Sequence, residues 1–180
     1  VIPAAAGGFT DREAELTDLQ KRVSEEGQRI LLYGRRRMGK TSLLNKLAKG
    51  EPWSFQGDFS YAITLNDIAR SLLQDFRKRG GRGTTDWLLD HLKSIRIGPA
   101  GIELQTDRKQ SSFQHFGDTL NAIYKRAEKE KKRVTFIFDE FQDIRRLLGG
   151  QRHEWPLRAL IQQHPKANYI FQEVTIAWCA

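Results

Sequence analysis

A three-layer α/β fold, with a mostly parallel sheet covered by helices on both faces, is predicted by three features of this sequence. Short apolar runs of strand character alternate with stretches of helical spacing, so successive strands are joined by crossovers long enough to be helices. Gly34-Arg35-Arg36-Arg37-Met38-Gly39-Lys40-Thr41 lies between the first apolar run and an amphipathic stretch. Val134 to Phe138 is an unbroken apolar run rich in β-branched and aromatic residues, as in a central parallel strand, and it ends in Asp139-Glu140.

The elements follow in order. Thr10-Asp11-Arg12-Glu13 has the form of a capping box, which predicts a helix from Asp11 to Ser24. Arg29 to Tyr33, ended by Gly34, reads as a buried strand feeding a loop. A helix begins near Lys40, with Leu43, Leu44, Leu47 and Ala48 on one face, and Gly50 and Pro52 mark its end. Pro52 to Tyr61 is a weakly written strand and turn, and Leu65 to Phe76 has helical spacing. After the Gly80-Gly81-Arg82-Gly83 break, Trp87 to Ile95 predicts a short helix. Ile95, Ile97, Ile102 and Leu104 around Gly98-Pro99-Ala100-Gly101 then predict a small hairpin inserted on the core sheet. Ser112 to Lys132 is helical, Trp155 to Gln163 is another helix, and Tyr169 to Phe171 opens a further strand.

With 180 residues, 39% hydrophobic and 10% aromatic, the chain is expected to form one domain spanning residues 1–180. Its 29% charged residues and mean hydropathy of -0.58 predict a polar surface. No apolar run approaches the roughly 20 residues that span a bilayer, and Val1 to Ala6 lacks the basic flank of a secretion signal, so a cytoplasmic location is expected. The single Cys179 excludes an internal disulfide. His91, His115, His153 and His164 show no metal-ligand spacing and read as surface or packing residues. A net charge of +8 suits polyanionic partners in general. Arg77-Lys78-Arg79 with Arg82, and Lys129 to Arg133, could follow a DNA or RNA backbone, although no aromatic residues interleave these runs as a stacking platform requires.

Gly34 to Thr41 fits the phosphate-binding pattern G-x-x-x-x-G-K-[ST]. Its glycines allow backbone N–H groups to turn inward as an anion nest, and the following helix, entered through Lys40, Thr41 and Ser42, adds partial positive charge. Lys40 would reach the β and γ phosphates and the Thr41 hydroxyl would ligate Mg²⁺. Arg35, Arg36, Arg37 and Met38 fill the variable positions in a supporting role. Asp139 and Glu140 stand at the C-terminal end of an apolar strand, where open α/β sheets bind ligands. Asp139 would hold Mg²⁺ and Glu140 would orient or deprotonate the attacking water as general base. Gln142 and Asp143 could couple the γ phosphate to a moving loop or cap the next helix, with capping favoured.

With both motifs in view, the chain resembles the archaeal-type AAA+-like P-loop ATPases, a branch near the STAND NTPases. Phe9-Thr10-Asp11-Arg12-Glu13-Ala14-Glu15-Leu16 is similar to that family's N-terminal F-x-[GD]-R-E-x-E-L box. Tyr33 to Thr41 is similar to its arginine-rich phosphate loop, and Phe138-Asp139-Glu140-Phe141-Gln142 to its second motif. The resemblance implies a five-stranded core in which another strand separates the phosphate-loop strand from the Asp139 strand. It also implies ATP over GTP, with Phe9 and Arg12 near the adenine. It further implies that the chain stops before a helical lid and a winged-helix domain. Tyr169-Ile170-Phe171 runs into Gln172 where the family places a small polar sensor of the γ phosphate, a role Gln172 could fill.

The expected function is therefore Mg-dependent ATP hydrolysis driving a conformational switch or the remodelling of a protein partner or homo-oligomer. The alternative is a nucleotide-gated nucleic-acid binder with little turnover. A superfamily 1 helicase fragment and a small-molecule kinase are further readings, which the arginine-filled loop and the adjacent Glu140 respectively disfavour.

Overall fold

The structure is a computed structural model that describes residues 12–35, 37–79, 83–92, 95–98, 101–104, 111–148 and 154–174. Four strands form one parallel sheet: β1 (Arg29–Gly34), β2 (Ser54–Asp58), β5 (Thr135–Asp139) and β6 (Asn168–Val174), in the spatial order β1-β6-β5-β2. The strand that comes last in the chain thus lies between the phosphate-loop strand and the Asp139 strand, in register with both: Ile30 and Ile137 each align with Ile170. Of the five strands expected, these four lie within the described residues. The inserted hairpin is present as β3 (Ile95–Gly98) and β4 (Gly101–Leu104), antiparallel, with Ile97 opposite Ile102.

Helices α1 (Glu13–Val23) and α2 (Lys40–Gly50) cover one face, and α3 (Leu65–Arg79), α4 (Thr84–His91), α5 (Ser112–Lys129) and α7 (Glu154–Gln162) belong to the other side. The two-residue side-chain period of a strand explains how one sheet feeds two cores. Ile137 and Ile170 pack with Leu16, Leu19, Leu43, Leu44 and Leu47. Their neighbours Phe136, Phe138 and Tyr169 join Phe55, Phe76, Phe116 and Leu120 in the larger core. Gly57 of β2 lets α3 approach, since a Cβ there would stand 2.8 Å from Ile68 Cγ2.

Several sequence expectations need correction. The first helix starts at Glu13, with Arg12 at the N-cap and no side-chain cap bond, so Glu13 occupies the first helical position and cannot close a capping box. Thr10 lies outside the described residues. β1 is only half-buried: Leu31 is 55% and Tyr33 72% exposed. Apolar composition anticipated a buried strand, but β1 ends the described sheet, and α1 and α2 cover only the face bearing Ile30 and Leu32. The helix expected over 87–95 runs instead from Thr84, after a left-handed Gly83 (φ 80°), to His91, and Ile95 belongs to the hairpin. α5 is capped by the Ser111 hydroxyl accepting from Gln114 N at 3.2 Å and ends at Lys129, where Lys131 turns left-handed (φ 54°).

Candidate functional site

The site is built at the C-terminal ends of β1 and β5. Between β1 and α2 the chain reverses through two left-handed residues, Arg37 (φ 64°) and Gly39 (φ 73°). Gly39 adopts that conformation without strain and directs the chain into the first turn of α2. Arg35, Arg37, Met38 and Gly39 are exposed, whereas Lys40 is buried. The Lys40 ammonium donates to the carbonyls of Gly34 at 2.9 Å and Arg35 at 2.8 Å, so it is folded back across the mouth of the loop. Burial lowers its pKa from the ordinary lysine value, and the carboxylates of Glu140 and Asp139 partly offset this. Ser42 is half-buried in the first turn of α2.

Asp139 is 2% exposed at the end of the fully buried β5. Burial raises its carboxyl above the usual carboxylate range; a hydrogen bond from the Thr41 hydroxyl works against this, and the neighbouring Asp58 and Glu140 carboxylates reinforce it. The phosphate-loop threonine and the strand-end aspartate, remote in sequence, are thereby in direct contact. Asp58, at the end of β2, is aligned with Asp139 across the parallel pair.

Glu140 follows in a left-handed conformation (φ 51°), which turns the chain out of the sheet into the 3-10 turn Phe141–Asp143 and then α6 (Ile144–Leu147). Its N–H donates to Asp139 Oδ1 at 3.0 Å and to Gln172 Oε1 at 2.7 Å. Gln172 is 1% exposed, so β6 delivers a buried amide to the residue beside the Asp139 carboxylate. The Glu140 side chain accepts a hydrogen bond from Gln142 Nε2. Gln142 therefore engages Glu140, and Asp143, at the start of α6, makes no side-chain cap bond, contrary to the capping expectation. Asp143 lies 3.8 Å from Arg146 instead.

Two features were missed in the sequence. Asp58 was invisible because β2 was too weakly written to fix its last residue; its signal is register with Asp139. Arg146 donates to the carbonyls of Ala62 at 3.0 Å and Phe59 at 3.1 Å, fastening the loop after β2 to the segment that follows Glu140. The Phe59 N–H also donates to the Asp139 carbonyl at 3.0 Å.

Arg12 is drawn onto the phosphate loop, donating from Nη1 to the Met38 carbonyl at 2.6 Å while pairing with Glu15. Phe9 and Arg36 lie outside the described residues. The remaining candidates, Gly34, Arg35, Arg37, Met38, Gly39, Lys40, Thr41, Ser42, Asp139 and Glu140, converge with Arg12 at one edge of the sheet. His115 and His164 are buried packing residues, and no cluster of potential metal-binding His, Cys, Asp or Glu residues occurs among the described residues. Nor is any described helix long and apolar enough to cross a membrane.

Comparison with solved structures supports the fold. A Walker-type ATPase of Pyrococcus abyssi is 21% identical, with a TM-score of 0.60 over 93% of this chain and 46% of its own. The ORC1 protein of Aeropyrum pernix, solved in complex with DNA, is 17% identical with a TM-score of 0.53, over 94% of this chain and 40% of its own. The ORC2 protein of the same organism, solved as ADPNP and ADP complexes, is also 17% identical with a TM-score of 0.53, over 97% and 43%. The chain thus spans less than half the length of these relatives. No curated protein sequence matches it. The model of an ATPase domain predominantly from Archaea matches residues 9–175, and the chain belongs to that family of ATP-hydrolysing P-loop domains.

Proposed function

We propose that this chain binds ATP with Mg²⁺ across the β1–α2 loop and the end of β5, and that hydrolysis there drives a conformational switch that acts on a protein partner or a second copy. The observation that carries the reading is the junction of Lys40, Thr41, Asp139 and Glu140 at one sheet edge. The Thr41 hydroxyl and the Asp139 carboxylate are adjacent hard oxygen donors, the chemistry that suits Mg²⁺. Bound there, the ion would neutralise charge on the β and γ phosphates during transfer to water.

The residues of the chain supply the rest. The N-terminus of α2 and the loop N–H groups favour the phosphates. Lys40 exchanges its two carbonyl acceptors for phosphate oxygens, which compensates its burial with an opposite charge. Glu140 accepts a proton from, or orients, the attacking water. Its backbone is fixed by Asp139 and Gln172, and its carboxylate must leave Gln142 to face the water. Gln172 acts as the sensor, because a change felt by its buried side chain is passed directly to Glu140 N. Arg12 places the start of α1 against the loop, on the side where the adenine would lie.

The switch is the segment 140–148, which leaves the sheet at Glu140 and holds the loop after β2 through Arg146. Hydrogen exchange compared between a non-hydrolysable ATP analogue and ADP tests it. Protection should differ at 140–148 and 59–64, and identical exchange in both states contradicts a switch.

A further inference from the structure

At the opposite end of the sheet, where β1, β5 and β6 begin, a cavity of about 280 Å³ opens between the three turns that enter those strands. Glu26 comes from the α1–β1 turn, Lys131, Lys132 and Arg133 from the α5–β5 turn, and Lys166 from the α7–β6 turn. Glu128 on α5 completes the charged rim, and Tyr124, Ala127 and Val134 supply apolar surface.

The charges are not equivalent. Glu128 accepts from the Tyr124 hydroxyl at 2.9 Å, and Arg133 donates to the Ser24 carbonyl. Among the described residues no hydrogen bond or ion pair engages the side-chain ammonium groups of Lys131, Lys132 or Lys166. Three exposed cations without such a partner therefore line one concavity, and of its two carboxylates that of Glu26 likewise has no hydrogen-bond or ion-pair partner among the described residues. Lys131 is held there by a left-handed backbone (φ 54°), a conformation uncommon for residues other than glycine. The volume is just below the roughly 300 Å³ at which small-molecule sites begin, which limits the site to a small ligand.

We infer that this cavity is a second ligand site, for a small phosphate monoester carrying hydroxyl groups, in which Lys131, Lys132 and Lys166 take the phosphate and Glu26 accepts from a hydroxyl. The site is remote from the proposed ATP site but connected to it by one helix, α1. The chain just past the C-terminal end of α1 is tied to the cavity rim through Ser24 and Arg133, and at the N-terminal end of α1 Arg12 holds the Met38 carbonyl in the phosphate loop. Occupancy thus bears on the loop through α1.

The test is calorimetric titration of ribose 5-phosphate into the whole chain saturated with ADP and Mg²⁺, so that the phosphate loop is already filled. Saturable binding of one equivalent is expected, weakened at least 10-fold by Lys132→Glu and by Lys166→Glu and little changed by Lys40→Ala in ADP-free protein. Ribose 5-phosphate should also shift ADP affinity by several-fold, and Arg133→Ala should remove that shift while leaving the binding of ADP itself intact. No binding to a folded chain that binds ADP, or binding lost in Lys40→Ala and retained in Lys132→Glu, overturns the site. Retention of a 20-mer oligonucleotide by the same lysines without ribose 5-phosphate binding also overturns it, in favour of a nucleic-acid surface. Binding with ADP affinity unchanged overturns the connection through α1.

Discussion

Replacing Gln172 by leucine isolates the contact that β6 makes with Glu140. Gln172 Oε1 lies 2.7 Å from Glu140 N and the side chain is fully buried, while leucine has similar volume, so the change removes a hydrogen bond without opening a cavity. The loss is about 0.5–1.5 kcal/mol, because Glu140 N keeps its second acceptor and is not orphaned. For a domain of this size 1 kcal/mol corresponds to a fall in Tm of about 2–4 °C. Catalysis should suffer more selectively. Glu140 sits in a left-handed conformation held by Asp139 and Gln172, and loosening it would misplace the carboxylate proposed as general base. A fall in kcat of about 10-fold, equivalent to roughly 1.4 kcal/mol of transition-state stabilisation, is expected. KM should change less than about 2-fold, because the phosphate contacts proposed for Lys40 would be untouched. Steady-state phosphate release, read beside a thermal melt, gives both numbers. A melt lowered by a few degrees with kcat unchanged would show that Gln172 only packs and does not position Glu140.

Further outcomes follow from the packing. Gly57→Ala places a Cβ 2.8 Å from Ile68 Cγ2 and should destabilise the chain by about 1–3 kcal/mol in denaturant unfolding, with a wild-type midpoint refuting the close approach of α3. Burial lowers the pKa of His164 to about 4 from the ordinary 6.5. The unfolded chain therefore binds more protons than the folded chain in that window, and stability is lost as pH falls through it. The contribution is roughly 2–3 kcal/mol between neutral pH and pH 4.5, and His164→Gln should flatten that part of the stability–pH curve. Arg146→Ala frees the carbonyls of Phe59 and Ala62 and should raise hydrogen exchange in residues 59–64 with ATP affinity retained.

The phosphate loop and Asp139-Glu140 were legible because their chemistry is local: glycine spacing, a lysine and threonine at a helix start, and acids ending an apolar strand. The hairpin was legible for a similar reason, since apolar residues are mirrored about Gly98 and Gly101, and the register pairs them as expected. Strand order was not written in periodicity; that another strand separates β1 from β5 was anticipated only through the family resemblance, and the structure identifies it as β6. Burial was misjudged where it depends on what covers a strand, as at Leu31 and Tyr33. The start of α1 was misplaced because the Thr10–Glu13 pattern fits a cap that the backbone at Arg12 does not use. Asp58 and Gln142 acquired their places through register and a turn that bring sequence-remote or ambiguous groups to the same edge.

The proposed roles of Lys40 in holding the nucleotide and of Glu140 in its hydrolysis are tested most directly by ATP calorimetry with Mg²⁺ in wild type, Lys40→Ala and Glu140→Gln, with phosphate release followed in the same samples. Binding and release are expected in wild type, binding weakened by at least about 10-fold in Lys40→Ala, consistent with the loss of a charge-assisted contact, and binding without release in Glu140→Gln. Folded wild-type protein that bound no nucleotide, or a Glu140→Gln variant that released phosphate at the wild-type rate, would rule out these roles.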